Sequence, residues 1–460
     1  MTSKRHALVA VVAVVAVIVA AGCAGGTQAD NASTTESNAV EVEWFVGLGT
    51  GAQPEQFAAQ EAVVDDFNAA HENVELTITF VDPDDAHTVL RERIDAGDPP
   101  DVVGPVGIQG ANRFAGEFLD LRPFLAELEV DQYDPVQLEI WREGTKVTAL
   151  PFGVFPSAIF YNRELFDRAG IAYPPAYFGE TYEGLPWDIE ALTRVATRLT
   201  LDAQGRHADE PGFDPERVVQ FGFHHQWIED VRAHGSFFGA GSLVADDGSA
   251  QIPDAWRDEW RWYRDAMFTS GISPDADEAN STFLDDRNAF ATGHVAMAFT
   301  HLWYASSIVD DEDRPLDFWD LAVVPSHEGT ATAKIHADTF RVLATTPHPE
   351  AAIEVLRFLQ GAGSADLLRA YSSFPARLDQ RDEFLEDLAN RFPSVESWSV
   401  VEESLTRPDI PSHEALLPGM PRSQELLDDF GERLRSDPDL DLESAIEALV
   451  DDLTTAFAAS

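Results

Sequence analysis

From Val40 onward the hydrophobic residues alternate between two periods, and that alternation predicts the fold class. Val40, Val42, Trp44 and Val46 fall at every second position, between Glu41, Glu43 and Phe45, as one face of a strand does. Gly47-Leu48-Gly49-Thr50-Gly51 ends the run. Pro54 suits the first turn of a helix, and Phe57, Val63, Val64 and Phe67 fall near one face of it through Asn68. Leu76, Ile78 and Phe80, alternating with Thr77 and Thr79, predict a second strand. Strand, helix and strand at this spacing make a βαβ unit, whose two strands lie parallel. A helical segment over Thr88 to Ala96 then leads through Gly97-Asp98-Pro99-Pro100 into a third short strand, Asp101-Val102-Val103.

Later segments continue the alternation. Ala149 to Phe160 and Leu321 to Val324 read as strands. Trp187 to Leu201, Trp256 to Phe268, Pro349 to Gln360 and Asp441 to Phe457 read as helices. The whole is an α/β chain without an internal repeat. Breaks rich in Pro and Gly at Tyr173 to Pro186 and Arg206 to Pro215 read as surface insertions.

Ahead of Val40 the pattern differs in kind. Lys4, Arg5 and His6 precede an unbroken apolar run from Ala7 to Ala21, followed by Gly22-Cys23. The run is short for a spanning helix, which needs about 20 apolar residues. A basic start, an apolar middle and small residues at the end make residues 1–23 an export signal. Residues 24–39 are small and polar and read as a flexible tether. Cys23 is the only cysteine, so no intramolecular disulfide forms and packing must supply the stability. Ala20-Ala21-Gly22-Cys23 resembles a lipobox, with Ala20 where that pattern usually has Leu. The resemblance implies lipidation of Cys23 and a membrane anchor; the other reading is an ordinary signal with an incidental cysteine.

Composition narrows the picture further. With 460 residues, 44% of them hydrophobic, the chain exceeds one compact core and should divide into two domains or more. Its 81 Asp and Glu against 31 Lys and Arg leave a formal net charge of -50, which excludes nucleic acid as a partner. Self-repulsion on that scale is screened in concentrated salt, so a salty habitat is the simplest explanation. Lysine occurs only at Lys4, Lys146 and Lys334, which also agrees with a GC-rich genome.

Four strings then point to a family. Ala96-Gly97-Asp98-Pro99-Pro100-Asp101-Val102-Val103 is followed by Leu150-Pro151-Phe152-Gly153 and by Ile159-Phe160-Tyr161-Asn162-Arg163-Glu164-Leu165-Phe166. Phe290-Ala291-Thr292-Gly293-His294-Val295-Ala296-Met297-Ala298 comes last. In content and order they resemble the extracellular solute-binding family that includes maltose-binding proteins. The resemblance runs from about Val40 to the C-terminus. It implies a two-lobed periplasmic-binding-protein-like fold of type II with hinge-linked lobes, placed at 40–152 plus 283–329 and at 153–282 plus 330–460. It also implies a monomeric, non-catalytic capture component of an ABC importer, anchored outside the membrane, with permease subunits as partners, a sugar or related polyhydroxylated solute as ligand, and no cofactor. Ligands of open α/β sheets bind beyond the carboxyl ends of the strands, so a cleft between two such lobes fits the pattern.

A sugar presents hydroxyls around an apolar ring face, and its site needs planar polar groups beside aromatic platforms. Gln53, beside the Gly47 to Gly51 turn, is a candidate hydroxyl partner, the alternative being a plain strand-to-helix turn. Trp303 and Tyr304 stand where the family often has an aromatic platform. Trp227 admits both ligand contact and core packing. Asp338, after a hinge crossing, and Arg377, in a turn resembling the family's Pro-x-Arg, are candidate contacts or buried structural ions. His224-His225 and His294 with His301 offer imidazoles, but no third ligand stands at a diagnostic spacing; capture of a metal ion or another non-sugar solute is the alternative reading, and a secreted hydrolase a further one. No G-x-S-x-G, H-E-x-x-H or Walker A string is present, and G-x-G-x-x-G fails at Ala52.

Overall fold

In a computed structural model that describes residues 39–459 except 139, 140, 311 and 313, the βαβ unit forms where the pattern places it. Strand β1 (Val40–Val46) runs parallel to β2 (Val74–Phe80), with Val40 opposite Val74 and Val46 opposite Phe80. The connecting helix, Pro54–Ala70, turns Gln60, Val63, Val64 and Phe67 inward. Strand β3 (Val102–Val106) joins β1 in parallel. The helix before it spans Pro83–Ala96 and so starts ahead of Thr88, because Asp82 accepts from the Asp84 N–H at 3.0 Å and Pro83 opens the first turn. The export signal, Cys23 and the tether up to residue 38 lie outside the described residues. No helix among those described is long and apolar enough to cross a membrane.

The thirteen-residue strand β4 (Leu150–Asn162) is buried along its whole length and is the pivot of the sheet. Five further strands complete it: β5 (His224–His225), β6 (Met297–His301), β7 (Trp319–Ala322), β8 (Ile335–Val342) and β9 (Phe374–Pro375). These nine strands run in the order β5-β6-β4-β8-β3-β1-β2, with β7 and β9 also paired to β4. The first half of β4 pairs antiparallel with β8, ending at Pro156 opposite Ile335. The second half pairs antiparallel with β6, starting at Ser157 opposite His301. Proline donates no ladder hydrogen bond, and Pro156 stands at the seam where β4 changes partner. There Ser157 bonds Lys334 both ways, its N–H donating to the carbonyl and its Oγ accepting from the Lys334 N–H, each at 2.8 Å.

These ladders run against the lobe boundaries expected from the sequence. Residues 283–329 were placed with the first lobe, yet β6 and β7 bond to the second half of β4. Residues 330–460 were placed with the second, yet β8 joins β3 and the first half of β4. The helix Pro349–Gln360 follows β8 onto the first half-sheet, and the helices Arg422–Ser436 and Leu442–Ala458 pack with Trp256 and Trp260 of the second. Alternation marks each strand but not its partner, and hydrogen bonds across hundreds of residues decide the lobe. The break at Tyr173 to Pro186 does lie on the surface, with Tyr173, Tyr177 and Leu185 exposed.

Candidate ligand-binding cleft

A cavity of about 310 Å³ opens where the loops after β1 and β3 meet the seam of β4 and β8. That volume is near the lower end for small-molecule sites, about 300–1,000 Å³. Thr50 reaches it from the glycine-rich turn after β1. Gly47 makes that turn possible, since at φ 153° a Cβ would stand 2.6 Å from the Val81 carbonyl oxygen. Gly107, beyond β3, and Phe155, beside the seam, supply further wall.

Asp338 and Tyr371 carry the polarity. Between Asp338 and Thr339 the ladder with β4 skips Phe152, an irregularity of the kind that re-aims a side chain. Asp338 is buried, and its Oδ2 has no hydrogen-bond partner among the described residues. Burial pushes its carboxyl up to about 6, against a hydrogen bond from Thr50 that favours the charged form. The Tyr371 hydroxyl, on the helix Ser364–Tyr371, is likewise buried and unpartnered there, and burial drives its pKa well up. Asp338 Oδ2 and the Tyr371 hydroxyl thus line one cavity with hydrogen-bonding capacity to spare, which suits a ligand with hydroxyl groups.

Trp303 forms the aromatic wall. Its half-buried ring lies nearly parallel to Trp227, with centroids 5.8 Å apart and planes at 9°, and to His301 at 5.9 Å and 17°. Trp227 is held at φ 55°, left-handed backbone that a bulky residue rarely adopts, and lines an adjoining cavity of about 400 Å³ beside His224 and Tyr263. It therefore meets the cleft through Trp303.

Three sequence candidates lie elsewhere. Tyr304 is fully buried and donates to Asn288 Oδ1 at 2.7 Å, bracing Trp227 edge-on from within the core. Arg377 is a structural ion, bonded to Glu129 at 2.9 Å and to Asp379 at 2.8 and 3.0 Å. Gln53 is exposed at the helix start, its N–H donating to Gln56 Oε1 at 3.2 Å. The sequence reading missed Thr50, Phe155, Tyr371, His336 and Glu414. Thr50 alone had a local signal, the glycine-rich turn around it.

The fold also assembles what linear spacing did not offer: among the described residues, two groups of two histidines and a glutamate whose ligating atoms lie within 4.8 Å of one another. In the first, His225 Nε2 stands 3.1 Å and His234 Nδ1 3.7 Å from Glu259 Oε1, all three side chains wholly out of solvent. Burial drives Glu259 well up and both imidazoles well down, toward their neutral forms. In the second, His336 and Glu414 line the cleft and His413 lies just behind. The buried Lys334 ammonium sits 4.3 Å above the Phe299 ring. Burial pulls it down to about 7, against the carboxylates of Asp409 and Glu259.

A cleft at a seam between two half-sheets, walled by a tryptophan and edged by unpaired polar atoms, is the architecture of a binding protein. The sequence profile of bacterial extracellular solute-binding proteins matches residues 51–366, and the chain belongs to that family. It is 24% identical over 344 residues to an uncharacterized lipoprotein from the oleD 5' region of Streptomyces antibioticus, covering 74% of this chain and 69% of that one. Among solved structures it resembles UspC of M. tuberculosis, with TM-score 0.71 and 19% identity over 91% of this chain and 100% of the other. It also resembles the sugar-binding protein MalE of Xanthomonas citri, with TM-score 0.71 and 15% identity over 91% and 98%. These likenesses show the two-lobed type II periplasmic-binding-protein fold.

Proposed function

We propose that the protein is the extracytoplasmic capture component of an ABC importer and holds a sugar or related polyhydroxylated solute in the cleft beside Trp303. The observation that carries this reading is the pairing of two buried, unpartnered oxygens, Asp338 Oδ2 and the Tyr371 hydroxyl, with one aromatic wall around a single cavity. A carboxylate accepts from ring hydroxyls, a phenol donates to or accepts from them, and an indole face packs on the apolar C–H face. The described relative MalE is itself a sugar-binding protein, which supports the assignment. In this reading one lobe comprises about 39–156 plus 335–391 and the other about 157–334 plus 392–458, with β4, the start of β8 and the segment around Arg391 crossing between them. Cys23 carries the lipid anchor, the chain acts as a monomer without catalysis of its own, and the acidic surface suits concentrated salt.

The test is a thermal-shift screen of sugars, polyols and glycerophosphodiesters in molar salt, where a specific ligand raises the melting midpoint by mass action. One sugar class should raise it by several degrees. Trp303→Ala should then weaken that ligand about tenfold, the loss of a platform of ~1–2 kcal/mol. A screen in which only non-hydroxylated solutes stabilise the protein overturns the proposal. Unchanged affinity in a folded Trp303→Ala protein removes this residue from the site.

A further inference from the structure

We infer that His336 Nε2, His413 Nε2 and the Glu414 carboxylate form a binding site for a divalent transition-metal ion of the zinc class at the edge of the cleft. The two imidazole nitrogens stand 3.3 Å apart. Two nitrogens each about 2.0–2.1 Å from a tetrahedral zinc are about 3.3 Å apart, so an ion fits without moving either ring far. A Glu414 oxygen completes a triad whose ligating atoms lie within 4.8 Å of one another.

The surroundings orient these ligands as metal sites require. His413 Nδ1 lies 2.6 Å from Asp409 Oδ2, and a proton shared there leaves the Nε2 lone pair directed at His336. Carboxylate, histidine and metal in a row is the recurrent arrangement that fixes both tautomer and ring orientation. Asp409 is itself anchored, its Oδ1 accepting from Ile335 N–H at 2.9 Å and its Oδ2 from His413 N–H at 3.0 Å. His301 stacks on His336 at 3.7 Å and 15°, which holds the second ring. Asn112 donates to the Glu414 carbonyl at 2.9 Å and fixes the third ligand's backbone.

The carboxylates of Asp409 and Asp230 offset the charge of the nearby Lys334 ammonium. His336 and Glu414 face the cavity, so a fourth coordination position opens toward it and takes water or a ligand oxygen, as in zinc sites with three protein ligands. Without an ion, the same nitrogens form a single imidazole-to-imidazole hydrogen bond, which uses neither Glu414 nor the open position.

The experiment uses untagged full-length protein stripped with chelator and titrated with Co2+, then Zn2+, in the absence of any sugar. One equivalent of Co2+ should give the intense visible band of a tetrahedral, nitrogen-bearing site, and Zn2+ should displace it. His336→Gln should weaken Zn2+ binding at least ~100-fold and Glu414→Gln at least ~10-fold. Glu414 is half-buried at the cavity edge, which keeps the test informative if a histidine variant misfolds. A weak octahedral spectrum, identical in wild type and Glu414→Gln, means cations gathered by the acidic surface and overturns the inference. Because no sugar is present, that failure leaves the capture of a polyhydroxylated solute untouched.

Discussion

The two histidine and glutamate groups contain the same residue types at similar spacing, yet the fold gives them opposite surroundings. Around Glu259 every polar atom is sealed from water, and burial drives the carboxyl and imidazoles toward neutrality. His234 Nε2 lies 3.0 Å from the Ile228 carbonyl oxygen. Around Glu414 the same chemistry opens on a cavity, and Asp409 orients one ring toward the other. Residue identity therefore does not separate a core ion cluster from a site. Access and the partners behind the side chains do.

Three substitutions sharpen that contrast. The largest effect is expected for Glu259→Ala, which takes the common partner from the buried His225 and His234 rings; each buried polar group left unsatisfied costs ~1–3 kcal/mol. Denaturant unfolding should show that loss while the folded fraction keeps its sugar affinity. A change in affinity without loss of stability would make the sealed group part of the site. Asp338→Asn should behave the opposite way. Removing a charge-assisted hydrogen bond to the ligand costs ~1.5–3 kcal/mol, roughly 10- to 150-fold in Kd by calorimetry. The melting midpoint of the unliganded protein should hold or rise, because a buried, half-satisfied carboxylate is relieved. A stability loss with unchanged affinity would make Asp338 a core residue. The smallest effect belongs to Arg377→Met. Glu129 and Asp379 are about half exposed and are rehydrated when the guanidinium goes, so at most ~1 kcal/mol of stability is lost and ligand affinity stays as it was.

How far the site was legible in the sequence follows the range of the forces involved. Trp303 stood out because it follows a recognisable string and Asp338 because it follows an expected hinge crossing, and both line the cavity. Arg377 followed an equally recognisable string, yet Glu129 claims its guanidinium from 248 positions away, a pairing that no local pattern encodes. Tyr371 ends an ordinary amphipathic helix, and nothing in its neighbours announces a hydroxyl aimed at a cleft.

What the sequence by itself determined is what short-range chemistry controls: the strands and helices, the parallel βαβ start, the acidic surface and the family. The period of a hydrophobic pattern reports the local backbone and the face it buries, and both are set within a few residues. Only the tertiary structure decided that residues 297–301 belong with the second half of β4 and 335–342 with the first, and that His336 meets His413 across 77 positions. Those outcomes depend on which strand edges find each other and on what is left buried between them, and such energies exist only once distant segments have met.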